Sequence, residues 1–122
     1  MGFRVFDTEK KKWIKENVYM NLDGELFLIK QSLFGMTKVP LDANRYINHN
    51  AIDLYDKNQN QVYEGDYVKA RVADDRTVIG MVVFAYELSS YIILCTDLGE
   101  FFTLGSDISS EIEVIGNVFD GY

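Results

Sequence analysis

Tyr67-Val68-Lys69-Ala70-Arg71-Val72-Ala73-Asp74-Asp75-Arg76-Thr77-Val78-Ile79-Gly80-Met81-Val82-Val83-Phe84-Ala85-Tyr86 decides the fold class of this chain. Apolar and polar residues alternate over Tyr67–Val72, the period of a half-buried strand. Ala73–Arg76 is a polar turn. Thr77–Tyr86 is a second, longer apolar strand, and Gly80 inside it predicts a bend or bulge. Two antiparallel strands joined by a short turn predict a sheet, not a helical domain.

The same reading extends in the C-terminal direction. Tyr91–Thr96 is a strand, Asp97-Leu98-Gly99-Glu100 a tight turn, Phe101–Leu104 a strand, Ser106–Glu111 a polar turn and Ile112–Phe119 the last strand, with Gly116 inside it. Five short strands of this kind predict a small SH3-like barrel, in which closure removes exposed edges. Alternation selects a core of Val68, Val72, Val82, Phe84, Ile93, Cys95, Phe102, Val114 and Val118. Gly65, before the first of these strands, is expected to occupy a positive-φ turn position.

Toward the N-terminus, Phe3–Phe6 is a strand candidate. It forms a hairpin with Trp13–Ile14 across a charged turn, with a helix over Glu9–Asn17 as the competing reading. Val18–Met20 and Leu26–Ile29 flank Asp23-Gly24, a hairpin signal. Gln31–Asn50 contains the one proline, Pro40, and reads as irregular, with a short helical turn near Asp42–Tyr46 capped by Asp42. The polar run Asp56–Gln61 separates the halves. The expected fold is therefore mainly β, α+β at most: a β-rich region over 1–60 packed on a barrel over 61–122.

Composition agrees. The 122 residues are 48% apolar and 14% aromatic, the balance of a globular chain. Residues 1–60 carry nine basic and eight acidic side chains, and 61–122 carry three basic and eleven acidic, for a net charge of −7. An acidic second half argues against direct nucleic-acid binding. Apolar stretches are too short to cross a bilayer as a helix. Met1–Asp7 lacks the apolar core of a signal peptide and the myristoylation pattern. One cysteine excludes an internal disulfide, and the expected location is the cytoplasm.

Three segments carry a resemblance. Leu54-Tyr55-Asp56-Lys57-Asn58-Gln59-Asn60-Gln61-Val62-Tyr63-Glu64-Gly65-Asp66-Tyr67-Val68, the opening Phe3-Arg4-Val5-Phe6-Asp7 and the closing Glu113-Val114-Ile115-Gly116-Asn117-Val118-Phe119 resemble, in order and spacing, the YopX family of phage and prophage proteins. Asp53 and Gln59 stand where that family has glycines, and Ala51 where it has tyrosine. The glycine loss predicts a changed turn at Asn58–Asn60. The resemblance implies a mainly β fold with an SH3-like C-terminal barrel and a phage or prophage origin. It supplies no activity.

No catalytic, cofactor or metal constellation is legible. Cys95 lies in an apolar strand and reads as a core thiol. His49 is the one histidine, too few for a usual zinc site. Glu64 and Asp66 with His49 could serve a metal-dependent hydrolase, but Glu-Gly-Asp also suits a turn. Lys10-Lys11-Lys12-Trp13-Ile14-Lys15 reads as a solvated turn with Trp13 packed inward. The sequence thus predicts a non-enzymatic accessory protein that binds a host or phage protein and self-associates. The candidate surface comprises Tyr55, Lys57, Tyr63, Glu64 and Asp66. Surplus aromatic residues predict one exposed aromatic patch. The alternative is a protein that sequesters a small ligand such as a nucleotide signal, provided that Arg4, Arg45 and the lysines of 10–15 converge on one pocket.

Overall fold

Backbone pairing in a computed structural model bears out the mainly β expectation; the structure describes residues 2–104 and 108–122, without the side chains of 108–110. Among the described residues twelve strands follow in order: β1 Phe3–Asp7, β2 Lys12–Trp13, β3 Tyr19–Met20, β4 Leu26–Ser32, β5 Gly35–Pro40, β6 Tyr46–Tyr55, β7 Gln61–Tyr63, β8 Asp66–Val72, β9 Thr77–Ala85, β10 Ser90–Cys95, β11 Glu100–Thr103 and β12 Ile108–Asn117. A 3₁₀ turn, Tyr86–Leu88, links β9 to β10. The chain divides into two compact units, Phe3–His49 and Met1–Gly2 with Asn50–Tyr122.

In the larger unit one sheet dominates, with strand order β11-β10-β9-β8-β12. Strands β8 to β11 form an antiparallel meander, and β12 returns to pair with β8. That order is consistent with an SH3-like topology. The sheet curls into a half-barrel: among the described residues no ladder joins β11 to β12. The reason is local. The open edge of β12 is taken by the turn after β6, where the Lys57 N–H donates to Ile112 O at 2.9 Å and the Val114 N–H donates to Asp56 Oδ2 at 2.9 Å.

The core follows the alternation. Val68, Ala70, Val72, Val78, Val82, Ile93 and Cys95 are buried together with Ile52, Val62 and Ile112. Phe102 and Val114 pack partly buried against them. Phe84 is half-buried and makes edge contacts with Tyr86 and Tyr91, with ring centroids 5.2 and 5.1 Å apart. Val118 is exposed, contrary to expectation. A register shift between Val114 and Gly116 breaks the alternation, and Asn117 Oδ1 then accepts the Phe119 and Asp120 N–H groups to turn the chain. The last strand also starts earlier than expected. Ile108–Glu111, read as turn, belong to β12, while Ser106 and Asp107 lie outside the described residues.

Gly80 does not mark a bend or bulge. Its strand pairs in unbroken register with β8 (Val68↔Gly80) and runs on through Met81↔Leu94 with β10. Glycine is needed there for close approach: a Cβ would stand 2.6 Å from Leu94 O and 2.9 Å from Cys95 Sγ.

In Phe3–His49, β1 pairs with β2 (Phe6↔Trp13), so the hairpin prevails over the competing helix. Strands β3, β4 and β5 form a three-stranded sheet, with Gly24 at φ +82 in the expected first turn. The reading of Gln31–Asn50 as irregular is corrected. Six residue pairs, from Phe27↔Pro40 to Ser32↔Gly35, align β4 with β5. Pro40 is tolerated because it ends an edge strand, where one missing N–H costs little. Asp42 does organise a turn: its carbonyl accepts from Arg45 and Tyr46, and its Oδ1 accepts from Asn44.

Gly65 has φ +84, its N–H donates to Val82 O and its carbonyl accepts from Val118 N–H, both at 2.8 Å. A β-branched residue is strained at that φ by about 1–3 kcal/mol. Gly65→Val should therefore lower the melting temperature by several degrees. An unchanged thermal or urea midpoint would show that the turn does not need glycine.

Candidate binding surfaces

The turn between β6 and β7 is organised by a buried carboxylate. Asp56 Oδ1 accepts from the Asn58 and Asn60 N–H groups at 2.9 and 2.8 Å. Its Oδ2 accepts from the Asn60 side-chain amide and from Val114 N–H across to β12. Burial pushes this carboxyl up, but the donors of Val114, Asn60 and Asn58 outweigh burial and hold it below the ordinary carboxylate range. Gln59 sits at φ +68. The expected change in turn geometry therefore does not mean loss of the left-handed position: glutamine adopts the conformation that glycine enters freely. The Gln61 amide donates to Leu54 O at 3.0 Å and ties the two hairpin arms together.

These bonds place the five candidate surface residues unequally. Tyr55 and Lys57 are exposed, and Lys57 Nζ lies 3.2 Å from Glu113. Tyr63 and Glu64 are half-buried. Glu64 Oε1 accepts from Asn50 N–H at 2.9 Å, and the Glu64 N–H donates to Asn50 O. Asp66 is 1% exposed, and its Oδ2 accepts the Tyr63 N–H at 2.8 Å, which fixes the Glu64-Gly65 turn. Asp66 thus works inside the protein. Cys95 is buried, and burial pushes its thiol up, away from the reactive thiolate form. Among the described residues no three His, Cys, Asp or Glu side chains group as a metal site.

Two further surfaces stand out. In the larger unit Tyr86 is 86% exposed and leans on the Phe84–Tyr91 pair, an exposed aromatic patch. In the smaller unit the β4–β5 hairpin closes with the two-residue loop Leu33-Phe34, both side chains 99% exposed, with Met36 71% exposed beside them. Sequence reasoning left these residues inside an irregular stretch, because Leu and Phe are not turn formers. Gly35, at φ +119, was the available turn signal.

In the same unit Arg45 forms two bonds to Asp7, Nε to Oδ1 and Nη2 to Oδ2, both 2.9 Å. Oδ1 also accepts from the Glu9 and Lys10 N–H groups. The Arg45 bond holds Asp7 well below the usual carboxylate range against the opposing effect of burial, and the Lys10 and Glu9 donors add to it. The ion pair therefore survives at any pH near neutrality.

Asp56→Ala should cost roughly 2–3 kcal/mol, because it strands buried N–H donors on two elements. Since the folded-state pKa is depressed, this stabilisation is complete above the unfolded carboxylate pKa of about 3.9 and is lost as pH falls through and below it. The wild type should lose stability more steeply than the variant on acidification below about pH 4; parallel acid limbs would remove Asp56 from this role. Gln59→Gly should raise stability by up to ~1 kcal/mol by relieving left-handed strain, read from urea midpoints. A loss on this substitution would mean that the Gln59 side chain contributes more than its strain costs.

The solved structures similar to this chain have the same fold at low identity. A crystal structure of the YopX protein from Bacillus subtilis matches with TM-score 0.62 at 16% identity, covering 96% of this chain and 91% of that one. A crystal structure of a protein from Enterococcus faecalis matches with TM-score 0.54 at 22% identity, covering 96% and 92%. No curated protein matches the chain. The family model described as YopX protein matches residues 2–121. With nearly every residue covered, this chain belongs to the YopX family.

Proposed function

We propose that this protein is a phage or prophage accessory protein that acts by binding another protein, with the β4–β5 hairpin tip as the contact. Family membership supports the origin. The observation that carries the mode is the pair Leu33 and Phe34, each 99% exposed at the end of a well-paired hairpin. A fully hydrated Leu-Phe tip gains nothing for the folded chain, whereas covering each side chain gains about 1.5–3 kcal/mol. The partner supplies an apolar groove, and Lys30 and Lys38 on the same hairpin favour an acidic rim around it.

A second copy is one such partner. Phe3–His49 carries eight basic and six acidic side chains, while 61–122 is strongly acidic. Opposite charge favours contact between the basic unit of one copy and the acidic sheet of another.

Leu33→Ser combined with Phe34→Ser should leave folding unchanged, since neither side chain is packed, and should abolish specific capture of partners from a host lysate. Capture of the same partners by both forms would sink the hairpin as the contact. Sedimentation separates the two readings. Self-association predicts a mass above 14.0 kDa at micromolar concentration that returns to the monomer value in the double variant; a 14.0 kDa species at every concentration refutes it.

A further inference from the structure

Within Phe3–His49, a cleft of about 340 Å³ is lined by the aromatic side chains of Trp13 and Tyr46, by Leu28, and by Lys10, Lys12 and Lys15. The three lysines are exposed, while Trp13, Leu28 and Tyr46 are half-buried. The site is thus apolar and aromatic in its walls and cationic where it meets water. Its volume falls at the lower end of the ~300–1,000 Å³ typical of small-molecule sites.

The lysines are available because other groups have taken the competing charges. Asp7 lines the cleft too, but both of its oxygens are engaged by Arg45. Arg45 is shared further with Glu9 at 3.4 Å. Arg4 stacks over the Trp13 ring, with its guanidinium carbon 4.1 Å from the centroid. Neither arginine lines the cleft; of the cations that the sequence reading required to converge on one pocket, Lys10, Lys12 and Lys15 do so. Glu16 remains as one carboxylate among the lining residues. No ion pair joins Lys10, Lys12 or Lys15 to an acid among the described residues, whereas Lys57, Arg71 and Arg76 are all paired.

The turn that presents the lysines is rigidly specified. Asp7 Oδ1 accepts from Glu9 and Lys10 N–H at 3.0 and 3.1 Å, Thr8 donates to Arg45 O, and Lys11 is held at φ +55. A lysine in a left-handed conformation costs about 1–2 kcal/mol relative to glycine. Trp13 follows two residues later, fixed by its edge contact with Phe6 at 4.9 Å.

We infer that this cleft binds a small phosphorylated aromatic ligand of nucleotide size, its ring against the Trp13–Tyr46 walls and its phosphate held by Lys10, Lys12 and Lys15. An inorganic anion would leave the apolar walls wet, and a neutral aromatic would leave three ammonium groups unanswered. Only a ligand with both parts matches the site.

Trp13 is the one tryptophan of the chain, so its emission reports the cleft directly. Titration with the four common nucleoside monophosphates should give a saturable emission change for at least one. The matching nucleoside and inorganic phosphate should bind at least about tenfold more weakly. Lys10→Gln, Lys12→Gln and Lys15→Gln together should weaken the nucleotide about tenfold or more without moving the apo melting temperature. Lys69→Gln should not change the affinity. No saturable change for any nucleotide up to roughly millimolar concentration, or equal affinity in the triple variant, overturns the inference. Tighter binding of a ten-residue single-stranded oligonucleotide than of any mononucleotide also overturns it, in favour of a nucleic-acid surface.

Discussion

A single buried carboxylate, Asp56, sets the arrangement of the larger unit. It gathers N–H donors from its own turn and one from Val114 on β12, so the turn and the last strand cannot move independently. Once the turn is placed, β7 pairs with β6, and the chain reaches the Glu64-Gly65 corner in register. There Asp66 repeats the device on a smaller scale, accepting the Tyr63 N–H so that β8 starts in its observed place. With β12 capped by this turn, the sheet need not close against β11. A half-barrel edge is then protected by a loop and its carboxylate, without a further strand.

This dependence explains what was legible in the sequence. Alternation across Tyr67–Val72 and Thr77–Tyr86 is a local signal of local cause, and it places Val68, Val72 and Val82 in the core. Asp23-Gly24 works the same way. The signal fails where the cause is remote. A Gly80 that faces Leu94 and Cys95 across a strand looks, in sequence, like a glycine at a bulge. Val118 continues the apolar alternation on paper, but a register shift two residues after Val114 turns it outward. Asp66 and Asp56 are indistinguishable by type from solvent carboxylates, and only their donors reveal that they are interior. The β4–β5 hairpin was hidden for another reason: its turn is built from Leu33 and Phe34, which local propensity assigns elsewhere.

That last conflict has physical meaning. Where a turn uses residues that neither favour turns nor become buried, folding does not account for their choice. Leu33 and Phe34 are of this kind, and so is Lys11 at a positive φ in the β1–β2 turn. Gln59 and Gly65 differ, since their backbones are tied directly into the fold: Gln59 N–H donates to Asp56 O, and Gly65 bonds to Val82 and Val118. The strain at Gln59 is offset by the bonds of its turn, and glycine at position 65 avoids strain.

The segment that identifies the family and the segments offered for binding are therefore different parts of the chain. Leu54–Val68 is occupied with holding β6, β7, β8 and β12 together, and most of its polar groups already have intramolecular partners. The hairpin tip and the lysine turn lie in Phe3–His49, where Leu33 and Phe34 are exposed and no ion pair joins Lys10, Lys12 or Lys15 to an acid among the described residues. In this unit the Asp7–Arg45 pair takes the place that Asp56 holds in the other: it fixes the backbone of a turn while freeing the lysines beside it. Its carboxyl stays ionised far below neutrality, so the geometry of the lysine turn is insensitive to physiological pH. Because the pair is half-shielded and doubly hydrogen-bonded, salt should weaken a charged ligand's attraction to Lys10, Lys12 and Lys15 before it disturbs the turn that presents them. The residues that stabilise the fold and the residues proposed for contact thus do not compete for the same bonds.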